Sequence, residues 1–212
     1  MTGSFFYLSS SYFRVMNADE LSNLIQKRRS VFQAEYSDER VDDAVIERML
    51  ENANWAPTHK MTEPWRFVVF TGEGLKALAK IQSDFYKSYT TADGTFREDR
   101  YRNLQEKPLL SSHIIAVIMK RDPAESVPAI EEAGAVFCAV QNMYLTAAAH
   151  GVGCYFSTGG ITYFDGAAAR FGFSEQDVLL GFLHVGTPKT APRQGKRRPV
   201  SEKTRWVTAF DT

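Results

Sequence analysis

Residues 130–151, IEEAGAVFCAVQNMYLTAAAHG, are the stretch that does most to decide the fold of this chain. Strong helix formers fill it, no Asp, Glu, Lys or Arg follows Glu132, and Gly151 suits the position just beyond a helix end. Polar residues interrupt the apolar run and argue against a membrane span: Gln141, Asn142, Thr146 and His150. We therefore predict a buried helix, whose Ala and Gly residues suit close contact within the subunit or across a dimer.

The segments around this helix predict both strands and helices. Apolar, β-branched or aromatic runs predict strands at 65–70, 114–119, 155–156 and 178–185. Helices are predicted after Asn17 and after Asp42, which can both cap a first turn, and over residues 75–85. Because helices and strands alternate without a strict βαβ repeat, an α+β layered sheet is favoured over a doubly wound one.

The charge balance limits the classes of partner. The chain has 212 residues, with 25 Lys and Arg against 25 Asp and Glu, so its formal net charge is zero. Nucleic acid or an anionic membrane surface would require a clustered basic excess, and we expect neither partner. Two cysteines, Cys138 and Cys154, give no disulfide framework, which favours the cytoplasm. Both are expected to be buried and inert. We expect a disordered extension at 1–15 and a single domain at 16–212.

Two basic clusters nevertheless stand out, at residues 28–30 (RRS) and 196–198 (KRR). Guanidinium groups give bidentate geometry, lysine adds charge and a serine hydroxyl adds a donor, so together the clusters could hold one phosphate. Taken separately, the first cluster is also explained as a cationic helix end and the second as a solvated tail.

Other site chemistries find little support in the sequence. The chain has no Walker loop and no Gly-x-Gly-x-x-Gly after a strand, and its four histidines lack the spacing of metal ligands. Neither a Gly-x-Ser-x-Gly motif nor a base for Cys154 supports covalent hydrolysis. Residues 86–107 are charged, rich in tyrosine and without clear period, which fits either a lid or a solvated surface segment.

Several motifs, taken together, resemble the FMN-dependent nitroreductase family, in particular a small-subunit branch with a His-Lys loop before Pro-Trp. Residues 24–30 (LIQKRRS) resemble the family's opening I-x-x-R-R-S. Residues 53–67, which contain ANWAPTHK and EPWRF, resemble its A-x-x-A-P loop followed by P-W-x-F. Residues 183–188 (LHVGTP) resemble its G-x-P strand end. The order and spacing agree over about residues 17–207.

This resemblance implies a three-layer sandwich with a mainly antiparallel central sheet, and a homodimer that binds FMN at the subunit interface. Arg28, Arg29 and Ser30, completed by Lys196 and Arg198, would hold the FMN phosphate and ribityl oxygens. The segment that borders the flavin ring would comprise Phe156, Ser157, Thr158 and Gly159. From the partner subunit, His59 and Glu63 would approach the ring. Glu63 is a departure from the family, whose larger members have Gln before Pro-Trp, and its carboxylate would disfavour an anionic reduced flavin.

The function implied is hydride transfer from NADH or NADPH, in a ping-pong cycle, to a nitroaromatic, a quinone or a related small-molecule acceptor. No catalytic side chain and no metal is expected, because the flavin carries the chemistry. Lys60 is a candidate for substrate contact, and Phe96 and Tyr101 are candidates for stacking over the acceptor. Reductive dehalogenation or enone reduction on the same fold remain open, as does a flavin-storage protein with little turnover.

Overall fold

A four-stranded antiparallel sheet forms the centre of the protein. The structure, a computed structural model, describes residues 17–209; the predicted extension at 1–15 lies outside the described residues. The strands lie in the order β1, β2, β4, β3, and each pairs with its neighbours in antiparallel fashion. Their bounds are β1 Trp65–Thr71, β2 His113–Met119, β3 Gly153–Ser157 and β4 Val178–Gly186.

Helices cover both faces of this sheet. The α-helices are α1 Ala18–Lys27, α2 Asp43–Ala53, α3 Glu73–Ala92, α4 Glu98–Glu106 and α5 Ala129–Ala149. Short 3₁₀ helices span Gln33–Glu35, His59–Met61, Lys107–Leu110, Ala168–Phe171 and Val200–Lys203. Both predicted caps are confirmed: the Asn17 side chain accepts from the Asp19 N–H, and Asp42 accepts from the Ala44 N–H, each at 3.0 Å.

The two faces of the sheet have separate cores, because side chains alternate along each strand. On one side, which we call the α5 face, Ile115 of β2 and Leu183 of β4 pack with α2 and α5. On the other, the α3 face, Ile114 and Phe182 pack with α3. The result is the predicted α+β sandwich of three layers with an antiparallel sheet.

The region 86–107 differs from its prediction. It contains the last two turns of α3, residues 86–92, and all of α4, because Tyr86 and Thr90 continue the buried face that begins with Leu75 and Leu78. The polar residue Thr90 on that face hid the period in the sequence. Helix α4 buries no residue fully, which is why its pattern carried no apolar signal.

Helix α5 is buried on one side only. Met143 and Ala139 are fully buried, whereas Phe137 keeps 46% of its surface exposed and Cys138 is exposed. The prediction that both cysteines are buried is therefore wrong for Cys138 in the single chain. Cys154 is buried, and burial raises the pKa of its thiol well above the usual range. No helix within residues 17–209 is long and apolar enough to cross a membrane.

Candidate functional site

The first basic cluster lies at the open edge of the sheet. Helix α1 ends at Lys27, and the chain then runs beside β3, the edge strand, where Ser30 bridges to Cys154. The Val31 N–H donates to the Cys154 carbonyl at 2.9 Å. This short parallel bridge fixes Arg28, Arg29 and Ser30 next to the strand that leads to the predicted flavin-bordering segment.

Tyr144 of α5 joins the basic cluster to that segment. The Arg28 guanidinium lies 4.9 Å from the centre of the Tyr144 ring, within range of a cation–π interaction. The Tyr144 hydroxyl accepts a hydrogen bond of 2.6 Å from the Phe156 N–H. Burial raises the pKa of Tyr144, although contacts with Ser30 and the Phe156 N–H oppose that rise. Sequence reasoning missed Tyr144. The feature that could have pointed to it is a tyrosine hydroxyl in the part of the helix that carries no charged residue.

Arg29 brings the carboxyl-terminal tail to the first cluster. Its guanidinium lies so close to Gly195 that a Cβ at this glycine would overlap it. The Nε atom of Arg29 is buried and has no hydrogen-bond partner among residues 17–209. Because buried polar nitrogens are normally paired, this atom indicates a missing acceptor. Lys196 and Arg198 lie one and three residues after Gly195. Both are exposed and pair with no carboxylate in the described part of the chain.

The His-Lys loop lies on the opposite side of the sheet from α3, against the start of α5. His59 Nδ1 is 2.6 Å from Glu131 Oε2, and Lys60 Nζ donates to the Ser126 carbonyl at 2.9 Å. The φ angles of Lys60, Met61 and Glu63 are all positive, at 51°, 54° and 43°. Such angles are strained in residues with a Cβ, and they occur where surrounding contacts or function require them. His59, Lys60 and Glu63 are exposed in the single chain.

A cavity of about 700 Å³ lies on the α3 face. Its walls come from α3, from α4 and the turn after it, and from the ends of β3 and β4. All four residues of the predicted flavin-bordering segment lie on this wall: Phe156, Ser157, Thr158 and Gly159. The basic cluster and the cavity therefore meet at β3, with Tyr144 between them.

The cavity floor contains a buried histidine that the sequence did not reveal as special. His184 Nδ1 lies 3.2 Å from the Ser111 hydroxyl oxygen, and its ring is near parallel to that of Tyr155. Burial lowers the pKa of His184 to about 4, so the imidazole is neutral at physiological pH. It can exchange a hydrogen bond with a ligand but adds no charge. Among residues 17–209, no three His, Cys, Asp or Glu side chains are grouped closely enough to hold a metal ion.

The structure places the two stacking candidates away from the cavity wall. Phe96 packs against Tyr86 and Tyr101, with ring centres 6.0 and 5.9 Å apart. Neither Phe96 nor Tyr101 is among the described residues that line the cavity. The residues that do line it from this region include Arg97, Arg100 and Leu104, which recur at helical spacing and would have been found had α4 been predicted.

Comparison with known proteins gives a consistent result. A model described as "Nitroreductase family" matches residues 25–187. YfhC of Bacillus subtilis, named as an NAD(P)H nitroreductase, is 28% identical over 183 residues, which cover 86% of this chain and 92% of YfhC. YdjA of Escherichia coli K12, named in the same way, is 30% identical over 165 residues, covering 78% and 86%.

Solved structures share the fold. The crystal structure of a nitroreductase-like family protein from Bacillus cereus is 28% identical and superposes with a TM-score of 0.76, covering 92% of this chain and all of that one. The FMN-dependent nitroreductase NfnB from Mycobacterium smegmatis, solved in complex with NADPH, is 21% identical with a TM-score of 0.67, covering 90% and 99%. With the family model spanning most of its length, the chain belongs to the nitroreductase family.

Proposed function

We propose that this protein is an FMN-dependent NAD(P)H oxidoreductase that passes electrons to a nitroaromatic, a quinone or a related conjugated acceptor. The observation that carries the proposal is the buried Arg29 Nε beside Gly195, which has no hydrogen-bond partner among residues 17–209 and would pair with an anion held between the two basic clusters. The names of YfhC and YdjA support the same activity. The donor NADH or NADPH is taken from those names, and the preference between them is open.

The side chains fit a flavin mononucleotide at this edge of the sheet. Arg28, Arg29 and Ser30 offer guanidinium and hydroxyl donors, which suit phosphate and ribityl oxygens, and Lys196 and Arg198 would add positive charge. The segment 156–159 would border the ring, because Phe156 is tied to Arg28 through Tyr144. Bound FMN would supply the hydride chemistry that no side chain here provides.

The protein's own residues then have positioning roles. The Tyr144 hydroxyl holds the Phe156 N–H and so fixes the start of the segment 156–159. The aromatic side chains of the cavity, including Tyr86 and Phe164, exclude water and present flat surfaces to a conjugated ligand. His184 stays neutral and can share a hydrogen bond with that ligand without attracting an anion.

A homodimer completes this proposal. Large apolar side chains are exposed on α1, on α5 and near the His-Lys loop, as expected for surfaces that a second copy covers: Leu21, Ile25, Trp55, Met61, Ile130 and Phe137. In that arrangement His59, Lys60 and Glu63 of one subunit would reach the ring bound by the other. The strained backbone of this loop is consistent with such a role.

The phosphate assignment is tested by the affinity for FMN. Arg29→Gln removes the charge and the fork of donors, so the FMN dissociation constant should rise by about tenfold or more. Arg102→Gln is the matched control, because Arg102 is exposed and pairs only with Glu98 on α4. Titration of the apoprotein with FMN, followed by fluorescence, gives both constants. Equal constants for Arg29→Gln and the wild type would contradict the phosphate site.

Flavin storage is the rival function, and it is favoured by the Glu63 carboxylate if that side chain lies near the ring. Stopped-flow mixing of the FMN-loaded protein with NADPH separates the two, since an enzyme bleaches the flavin absorbance within seconds and a storage protein does not. Glu63→Gln should accelerate bleaching if the carboxylate opposes reduction. A reductive dehalogenase or enone reductase would also bleach, and would be distinguished by its acceptor.

A further inference from the structure

The cavity on the α3 face is lined by charge of one sign. Arg97, Arg100 and Lys107 are among its lining residues, and none of the described residues that line it is Asp or Glu. In a protein whose formal net charge is zero, a wall with three cations and no carboxylate is a local positive field. These cations belong to neither of the basic clusters at the sheet edge.

Neutralisation of these cations is incomplete. Arg97 pairs with Asp99 at 2.8 Å, whereas Arg100 and Lys107 have no carboxylate partner among residues 17–209. Arg102 of the same helix does not line the cavity and pairs with Glu98 at 3.1 Å. Of these four cations, the two that have no ion pair with a described carboxylate, Arg100 and Lys107, therefore both line the cavity.

The remaining walls suit a flat, conjugated body. Tyr86 and Phe164 are near parallel, with ring centres 6.2 Å apart, and Phe164 is also stacked on Tyr89 at 4.1 Å. On the other side, Phe32 and Tyr155 line the cavity with ring centres 4.5 Å apart. A ligand that satisfies both kinds of wall combines an aromatic or quinonoid ring with an oxyanion.

We propose that this cavity selects electron acceptors that carry an anionic substituent, such as a carboxylate, on a flat conjugated ring, and that Arg100 and Lys107 contact that anion. This inference rests on the proposed oxidoreductase function and names its substrate class. An oxyanion of the nucleotide donor, the additional phosphate of NADPH, has the same chemistry, and the experiment below distinguishes the two sources.

The test compares a matched pair of acceptors, para-nitrobenzoate and para-nitrobenzamide, which differ in charge at one substituent. In the FMN-loaded wild type, kcat/KM should be about tenfold higher for the benzoate. Arg100→Gln and Lys107→Gln should each lower kcat/KM for the benzoate by about threefold to fivefold, as expected for exposed charges. The double variant should remove the preference, and kcat/KM for the benzamide and the FMN content should be unchanged.

Two controls make the result specific. Arg102→Gln removes one positive charge from the same helix outside the cavity, so its ratio of benzoate to benzamide should equal that of the wild type. Binding is also measured without turnover, by calorimetric titration of the FMN-loaded protein with benzoate and with benzamide. Benzoate should bind more tightly in the wild type, and raised salt should reduce the difference.

Several outcomes would overturn the inference: equal kcat/KM for the two acceptors in the wild type, or an equal effect of Arg102→Gln and Arg100→Gln. A change in the ratio of NADPH to NADH use, with acceptor selectivity intact, would assign the cations to the donor and overturn it as well. A protein that oxidises neither NADPH nor NADH, with these two acceptors or with a quinone, refutes the proposed function. The calorimetric comparison, with or without FMN bound, then still tests the charge selectivity of the cavity.

Discussion

The two faces of the sheet differ in the kind of side chain that fills them. On the α5 face the core is mainly aliphatic, and Val117, Leu183 and Val185 are fully buried. On the α3 face about half of the clustered residues are aromatic, Phe182 and His184 keep a small exposed fraction, and the cavity opens beside them. Protein cores are normally close-packed, whereas the cavity leaves part of the α3 face unfilled. We infer that stability is concentrated on the α5 face and ligand selection on the α3 face.

Truncating the centre of the α5 face should have the largest effect. Met143 is fully buried in α5, and Met143→Ala removes apolar contacts and leaves a void in a core with little room to relax. We expect the free energy of unfolding to fall by about 4 kcal/mol. Chemical denaturation of the FMN-free protein measures it, because bound cofactor would add its own stabilisation. The control Gln141→Ala, at an exposed position of the same helix, should change it by less than about 0.5 kcal/mol.

On the α3 face we expect the second-largest effect, on the pH dependence of the free energy of unfolding. The pKa of His184 is about 4 in the folded protein and about 6.5 when unfolded. Between these values the unfolded chain binds the proton and the folded one does not, so this stabilising contribution is complete above pH 6.5 and lost as the pH falls towards 4. Over that window the wild type should lose about 3 kcal/mol more than His184→Asn.

His113 requires attention in that experiment, because burial also lowers its pKa and acts in the same direction. A His113→Asn variant therefore serves as the control for a second buried histidine, which starts β2 opposite Val185 and whose shift Asp43 partly opposes. Unfolding curves at several pH values give the comparison. Equal pH dependence of the wild type and His184→Asn would show that the imidazole is not buried in neutral form.

Tyr144 connects α5 to β3, which leads to the cavity. Its hydroxyl should therefore contribute modestly both to stability and to FMN affinity. Tyr144→Phe leaves the ring beneath Arg28 and removes the acceptor of the Phe156 N–H. We expect a loss of about 1 kcal/mol in the free energy of unfolding. The FMN dissociation constant should rise by about threefold to tenfold, since the segment after Phe156 is less well fixed. Unchanged affinity would separate the anion site from this segment.

Much of the fold was predictable, because periodicity and caps report local structure. Asn17 and Asp42 begin helices as predicted, and the strand at 114–119 follows from its unbroken apolar run. The last two turns of α3, residues 86–92, were not predicted, because their buried face includes Thr90, whose hydroxyl donates to the Tyr86 carbonyl one turn earlier. A buried polar residue that bonds to its own helix gives no hydrophobic signal.

The candidate site was likewise predictable only in part. Proximity of residues 28–30 to the tail was predicted, and the contact of Arg29 with Gly195 brings the two segments together. The contributions of Tyr144 and His184 depend on contacts between different elements, with Phe156 of the next strand and with Ser111, 73 residues away. Neither partner could be deduced from spacing, because both contacts form only when the strands take their places beside α5 and the turn after α4.

The smallest effect is expected where a sequence-based candidate lies beside a cavity residue. Tyr101 neighbours Arg100, but its ring packs on Phe96, and its hydroxyl makes no hydrogen bond to the described residues. Tyr101→Phe should therefore change the free energy of unfolding by less than about 0.5 kcal/mol and the ratio of nitrobenzoate to nitrobenzamide turnover by less than about twofold. Arg100→Gln, one position away, should alter that ratio by threefold or more. If the two variants shifted the ratio equally, acceptor selection would belong to α4 as a whole rather than to its charged side chains.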